Sequence, residues 1–490
     1  MKKHLKFGVR AVVFTLILIT VTVMINYMIT PKKYFEDSWS TTSTFRGFYK
    51  MKKNSIDVLF LGSSHGGAAF TPQVIYDNNG IRSYNLACEQ QNLLVSYYWL
   101  KEALRYQTPK TVVVELYMLF DFSPKDPLNT SEAFTRMAID AMNWSEVKWE
   151  AINDICKYDE SQTINSYLFT NERFHTRWMN LSETDFEFIT LENHYELKGY
   201  APLAKRGGVY PDYEPYLEYD HEMMADTHPL MAEYLDRIVS LCDEKGIELI
   251  LTKTPTTGWD TSKHNTVAEY ATDNGLDFID FNESAYYEAA KFKWKKNMSD
   301  DWHCNIWGAR KLSKYMGVLL ADEYDIAGVK DEQWDSTEDY YQQTLGDCEL
   351  QNISDLEKYL EMLNSPRYTV FLAGQSDISE YLDEEAVNAF AGHGFELDIP
   401  VGNGYYAIKN GDKIEQVTDS EEVRNIGSIR NSKVDYVIMS NGSESDGYSQ
   451  IIIDNEDYSP HCDGVNIVVY CNDTWRVIDK ATYVGTLYRQ

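Results

Sequence analysis

Basic side chains are scarce in this chain: 45 Lys and Arg stand against 76 Asp and Glu, a formal net charge of −31. Phosphate backbones would be repelled, which argues against nucleic acid as a partner. Cysteine is sparse too, with seven scattered residues: Cys88, Cys156, Cys242, Cys304, Cys348, Cys462 and Cys471. None forms a C-x-x-C pair, so neither a zinc ribbon nor a redox motif is indicated. The odd, scattered set does not form a disulfide framework. Metal-ligand spacing is lacking, since His221 and His228 have no convincing third partner. Gly66 and Gly67 are not followed by the Lys-Ser/Thr ending of a phosphate-binding loop. No cofactor and no metal are expected.

One long hydrophobic run is present. Lys2, Lys3, Lys6 and Arg10 precede an uncharged stretch from Ala11 to Thr30. Twenty helical residues reach about 30 Å, the hydrocarbon thickness of a bilayer. No small-x-small cleavage site precedes Lys32 and Lys33, so the run reads as an uncleaved anchor rather than a signal peptide. The excess of positive charge before the span places the amino terminus inside and the rest of the chain outside the cytoplasm. The expected localisation is the cell membrane, single-pass, with residues 1–34 as tail and anchor. The mostly polar stretch Tyr34 to Thr44, Ser/Thr-rich from Ser38, reads as a stalk.

At 490 residues the chain exceeds one ordinary core, and two globular domains follow as the expectation. From Ile56, strand-like runs (Ile56–Leu61, Ser83–Leu86, Thr111–Leu116, Ile247–Thr252, Asp277–Asp280) alternate with helical patterns. Thr71-Pro72 reads as a cap with proline in the first turn, closed by Gly80. This alternation predicts an α/β fold with a mostly parallel sheet covered on both faces. Ser123 to Pro229 interrupts it with helix-like runs and many aromatics, among them Trp144, Trp149, Tyr167, Phe174, Trp178, Tyr195, Tyr200, Tyr210 and Tyr213. Such rings serve as core or as sugar-stacking surfaces. The segment reads as an inserted helical region. The α/β domain is assigned to 35–330 and a partly folded linker to 331–365. Residues 366–490 carry short β runs separated by Gly, Asn and Asp, a separate β-rich α+β domain.

The chemistry concentrates in two short blocks. Asp57-Val-Leu-Phe-Leu-Gly62-Ser63-Ser64-His65-Gly66-Gly67 is an apolar strand opening into a turn of small residues. A hydroxyl at a strand's carboxyl end stands where open α/β sheets place their chemistry. Asp300-Asp301-Trp302-His303 puts a carboxylate three residues before a histidine, so that one ring nitrogen meets the carboxylate while the other faces a hydroxyl. Asp301 is the competing carboxylate, with poorer spacing. His65 reads as a polar turn residue.

Gly62-Ser63-Ser64 resembles the first block of SGNH/GDSL-type hydrolases, with Ser63 in place of the usual Asp. Asp300-x-x-His303, continuing Cys304-Asn305-Ile306-Trp307-Gly308-Ala309, resembles their last block. The cell-envelope members are the nearest in pattern: the DltD-type teichoic-acid D-alanylation proteins and the acyl-transfer proteins that accompany membrane-bound O-acyltransferases. The resemblance implies a flavodoxin-like α/β fold, with Ser64 as nucleophile, His303 as general base and Asp300 as its orienting carboxylate. The second block maps to Tyr84-Asn85-Leu86-Ala87-Cys88-Glu89-Gln90, where backbone N–H groups of Ser64 and Gln90 would donate to an oxyanion. The third, Gly-x-Asn-Asp-type block is absent after Thr111 to Leu116; Tyr117 or a later asparagine is the expected substitute. The implied function is a membrane-anchored extracytoplasmic serine esterase or O-acyltransferase acting on cell-envelope polysaccharide or teichoic acid, with a membrane-bound O-acyltransferase as partner. The alternative is a non-catalytic glycan-binding or acyltransferase-partner protein.

A second resemblance lies downstream. Tyr436-Val-Ile-Met-Ser440-Asn-Gly, Ile451-Ile-Ile-Asp454, Tyr458-Ser459, Gly464-Val-Asn466-Ile-Val-Val-Tyr470 and Val477-Ile-Asp479 with Ala481-Thr-Tyr483 resemble an interleukin-like EMT inducer (ILEI) domain. That resemblance implies carbohydrate binding.

Overall fold

The computed structural model describes residues 2–30, 41–181, 183–186, 195–207, 222–430, 433–443 and 447–489. Tyr210, Tyr213, His221 and residues 34–40 of the stalk lie outside these, as does the side chain of Tyr195. The chain divides into two compact units, 1–342 and 343–490, and the boundary falls inside helix Glu338–Leu350.

The first unit is built on five strands: β1 (Val58–Gly62), β2 (Ser83–Ala87), β3 (Thr111–Glu115), β4 (Glu248–Lys253) and β5 (Asp277–Asp280). Their order is β2-β1-β3-β4-β5, with every neighbouring pair parallel. This is the flavodoxin-like doubly wound arrangement, in which β1 and β3 flank the point where the winding reverses. Apolar runs suit such strands because both faces are covered. Successive side chains point to opposite faces. Leu59, Leu61, Leu86, Val112 and Val114 enter one buried cluster with helices Leu93–Ala103 and Pro229–Lys245. Val58, Phe60, Val113, Ile250 and Ile279 enter another with Ile75 of helix Pro72–Asn79 and Leu312 and Met316 of helix Ile306–Asp322.

Local signals explain most helix limits. Asn92 caps its helix by accepting from the Val95 N–H at 2.8 Å. Pro72 stands in the first turn, and Gly80 closes that helix with φ +68°. Thr71 makes no side-chain cap; its N–H donates instead to Ser313 Oγ at 2.8 Å, tying two helices together.

Between β3 and β4 lies the insertion, which includes helices Glu132–Ala141, Glu146–Tyr158, Ile164–Leu168 and Asn171–Phe174. Its aromatics divide: Tyr167 and Tyr200 are core, whereas Trp144, Trp149 and Trp178 are exposed. Residues 331–342 pack on this unit, with Trp334 buried beside Tyr76 and Asp331 paired to Arg82. The amino-terminal helix Lys2–Ile29 contains one stretch, Lys6–Ile29, long and apolar enough to cross a membrane.

The second unit is a mostly antiparallel ten-stranded sheet. Its centre is strand Tyr368–Gln375, flanked by Gly464–Cys471 and Gly404–Asn410. Helices Leu356–Leu363 and Glu384–Gly392 cover one face through Leu360, Leu363 and Phe390. The opposite face carries Phe371, Tyr436, Ile438, Ile451 and Val468.

Candidate active site

At the carboxyl end of β1 the backbone turns sharply. Gly62 has φ +142°, and a Cβ there would stand 2.7 Å from Glu115 Cβ on β3. Only glycine combines that backbone with that approach. Ser63 then caps helix Ser64–Ala69, its Oγ accepting from the His65 N–H at 3.3 Å. Ser64 is therefore the first helical residue. Gly66 and Gly67 lie close to Glu115 and Ala87, so their missing side chains serve strand–helix packing.

The second block is a tight loop before helix Ile306–Asp322. Ser299 N–H donates to His303 O at 2.8 Å, and the Asn305 side chain donates to Lys296 O and Met298 O, both at 3.0 Å. Asp300 Oδ1 accepts from the N–H groups of Trp302 (2.8 Å) and His303 (2.7 Å). That local turn fixes the Asp300 carboxylate beside the His303 ring.

The two blocks meet. Ser64 Oγ lies 2.9 Å from His303 Nε2, and His303 Nδ1 lies 2.9 Å from Asp300 Oδ2. A hydroxyl, an imidazole and a carboxylate thus form one hydrogen-bonded line. Burial works to raise the Asp300 carboxyl. The bonds and charge of His303, with the two backbone N–H groups, outweigh it and hold the carboxyl below its ordinary range. Asp301, the competing carboxylate, contributes its carbonyl instead, accepting from the Thr257 N–H at 3.0 Å.

Gln90 adopts φ +47°, the left-handed conformation that a glycine would take more easily. Among the described residues its N–H meets no protein acceptor, and its side-chain oxygen accepts from Thr130 Oγ1 at 3.2 Å. The first asparagine after β3 is Asn129, and it does not face the site. Its amide closes a turn, bonding the N–H groups of Phe122 and Ser123 and the carbonyls of Met118 and Phe120. Tyr117 does approach: its ring stacks on His65 with centroids 3.9 Å apart.

His65 is more than the polar turn residue expected. It is 3% exposed, its ring centroid is 5.1 Å from that of His303, and its Nδ1 lies 3.2 Å from Lys253 Nζ. Lys253 Nζ also bonds Glu115 Oε1 at 2.7 Å, and Glu115 Oε2 accepts from Ser63 Oγ at 2.7 Å. A buried chain Ser63–Glu115–Lys253–His65 therefore runs behind Ser64. Burial pulls the Lys253 ammonium below its ordinary range against the opposing pull of Glu115. Burial, then the charges of Lys253 and His303, holds His65 well below the usual histidine range. With Lys253 donating to Nδ1, the neutral ring carries its proton on Nε2. Sequence patterns do not single out Glu115 or Lys253; the one signal for Glu115 is a carboxylate ending an otherwise apolar strand, and His65, beside Ser64, reads as a polar turn residue rather than a substrate contact.

All seven cysteines are free thiols. Cys88 and Cys304, both in the candidate blocks, are buried, and burial pushes their thiols upward, away from reactivity. Among the described residues no cluster of His, Cys, Asp or Glu has the arrangement of a metal site.

No protein-family model matches the chain, and no curated protein matches its sequence. Among solved structures, the chain is similar to the crystal structure of a proposed acylhydrolase from Bacteroides fragilis NCTC 9343, at 11% sequence identity and a TM-score of 0.26, over 60% of this chain and 99% of that one.

Proposed function

We propose that this protein is a membrane-anchored serine esterase or O-acyltransferase of the SGNH type, acting on acyl groups of cell-envelope polysaccharide or teichoic acid. The observation that carries the reading is the line Ser64 Oγ–His303 Nε2 at 2.9 Å and His303 Nδ1–Asp300 Oδ2 at 2.9 Å. In this mechanism Ser64 Oγ attacks the acyl carbonyl and passes its proton to His303 Nε2. The carbonyl oxygen becomes an oxyanion, met by the N–H groups of Ser64 and Gln90. Collapse breaks the acyl–oxygen bond, and His303 returns the proton to the leaving alcohol. Water or a sugar hydroxyl, deprotonated by His303 Nε2, then attacks the acyl carbon; the bond to Ser64 Oγ breaks, and His303 returns the proton to Ser64 Oγ. Asp300 holds the imidazole in the tautomer with Nδ1–H and stabilises the imidazolium. Extracytoplasmic placement of the body and a membrane-bound O-acyltransferase partner belong to the same reading. So does glycan binding by the second unit through the ILEI-like pattern.

The test is labelling of the purified full chain by a fluorophosphonate. The parent should label; Ser64→Ala should not, and its turnover of an activated ester should fall on the order of 10⁴–10⁶-fold. Asp300→Asn should lose about 10²–10⁴-fold with folding retained. The competing reading, a non-catalytic glycan-binding or acyltransferase-partner protein, draws on Asn129 being consumed in a turn. It predicts no labelling and full function of Ser64→Ala in a deletion strain.

A further inference from the structure

Among the described residues, the apolar amino-terminal helix meets the rest of the first unit near its carboxyl end. Residues 6–25 are exposed, whereas Ile29 is buried. The contacts come from one stretch of the insertion. Arg177 Nη1 donates to Ile29 O at 2.6 Å, Thr170 Oγ1 donates to Asn26 O at 3.4 Å, and Thr30 Oγ1 lies 3.1 Å from Thr170 Oγ1. Helix Asn171–Phe174 and the 3₁₀ turns His175–Met179 and Glu183–Phe186 touch the same helix.

This fixes a level. The twenty uncharged residues Ala11–Thr30, at 1.5 Å each, fill about 30 Å of hydrocarbon, so a bilayer holding the span ends near Thr30. Whatever bonds Asn26 and Ile29 stands within about one helical turn, roughly 5 Å, of that surface. Flanking those bonding residues are exposed apolar side chains: Leu168 (41%) and Phe169 (47%) before Thr170, and Trp178 (67%) and Met179 (61%) after Arg177; Phe186 (58%) follows Asp185. The cation among them is neutralised, for Arg177 Nη2 pairs with Asp185 at 2.9 Å. Large apolar patches on a soluble surface mark contact sites, and tryptophan favours the membrane–water boundary.

We infer that Leu168, Phe169, Trp178, Met179 and Phe186 form a second membrane contact, inserted into the leaflet on the body's side of the span. The body then lies down on the lipid surface instead of swinging from a single tether. The contact is independent of whether Ser64 is a nucleophile.

The test uses the full chain in lipid nanodiscs whose only other protein is the scaffold. Phosphatidylcholine brominated at shallow or deep acyl positions quenches nearby tryptophans. Helix Lys2–Ile29 contains no tryptophan, but Trp39 follows it, so the reading is the difference between the parent and Trp178→Phe. The expected result is a quenched component, strongest with shallow bromines, that Trp178→Phe removes. The double variant Phe169→Ser/Met179→Ser, with Trp178 kept, should lose the same component while its circular dichroism stays that of the parent. Equal quenching in the parent and Trp178→Phe would overturn the inference and assign the patch to a protein partner.

Discussion

Lys253 is a cation with no exposed surface, and Glu115 beside it is 1% exposed. Removing one member of such a pair leaves the other charge buried and uncompensated. Lys253→Met should therefore cost about 3–5 kcal/mol of stability. The double variant Lys253→Met/Glu115→Leu should recover much of that loss, and urea unfolding of the two variants measures the difference. His65 adds a pH dependence. Its folded-state pKa lies well below the ordinary value of about 6.5, so below that pH the unfolded chain binds the extra proton and the native chain does not. Its contribution is whole above about pH 6.5 and is lost progressively on acidification. The parent should lose more melting temperature between neutral pH and pH 5.5 than His65→Gln does; equal losses would refute the assignment. Residues at this scale were unequally legible in sequence. Ser64, Asp300 and His303 announce themselves because each sits in a short pattern whose chemistry is local. Glu115 and Lys253 do not, because 138 positions separate them. Only the β3–β4 register, which places Glu115 opposite Thr252, brings Lys253 to Glu115.

The strand–turn–helix unit from Val58 to Ala69 sets where Ser64 can be. Gly62→Ala would force a side chain into a backbone conformation that alanine avoids and push its methyl against Glu115 Cβ. The expected cost is about 2–4 kcal/mol, with loss of fluorophosphonate labelling because the helix start moves. A stable, fully labelled Gly62→Ala protein would show that this turn does not position the serine. The five parallel strands were legible to within two residues at each end, since continuous apolar runs bounded by turn residues leave few alternatives. The missing side-chain cap at Thr71 was not: its Oγ1 is buried without a partner among the described residues, and its N–H donates to Ser313 Oγ on a helix 242 positions away. What stands in place of the absent third block was not legible either. After β3 the chain offers Tyr117 to the side of His65 and spends Asn129 on its own turn, and neither outcome follows from spacing.

The chain carries two cores of different origin. One grows from parallel strands separated by helices. The other grows mostly from antiparallel strands, and at its centre Tyr368–Gln375 pairs with Gly464–Cys471, far away in sequence, across Val370↔Val469. The change of texture was visible in the sequence as short β runs with Gly, Asn and Asp between them. Less visible was where the second unit begins, because the acidic stretch 331–365 contains buried residues. Leu350, Tyr359, Leu360 and Leu363 all join the second core. Within that unit Asp347 accepts from Tyr368 Oη at 2.6 Å and pairs with Arg367, and Arg489 bonds the carbonyls of Leu350 and Ile353 while pairing with Asp479. These contacts close the beginning of the unit against its end without residues from the first. A fragment 338–490, which keeps helix Glu338–Leu350 whole, should therefore fold alone. It should melt in one cooperative transition with a stability of about 5–15 kcal/mol, as an independent domain does. Starting the fragment at 366 removes Asp347, Leu350 and Tyr359, and should abolish that transition. If both fragments melt alike, residues 338–365 belong to the linker 331–365 that the sequence suggests; if neither melts, residues 338–490 do not form an independent domain.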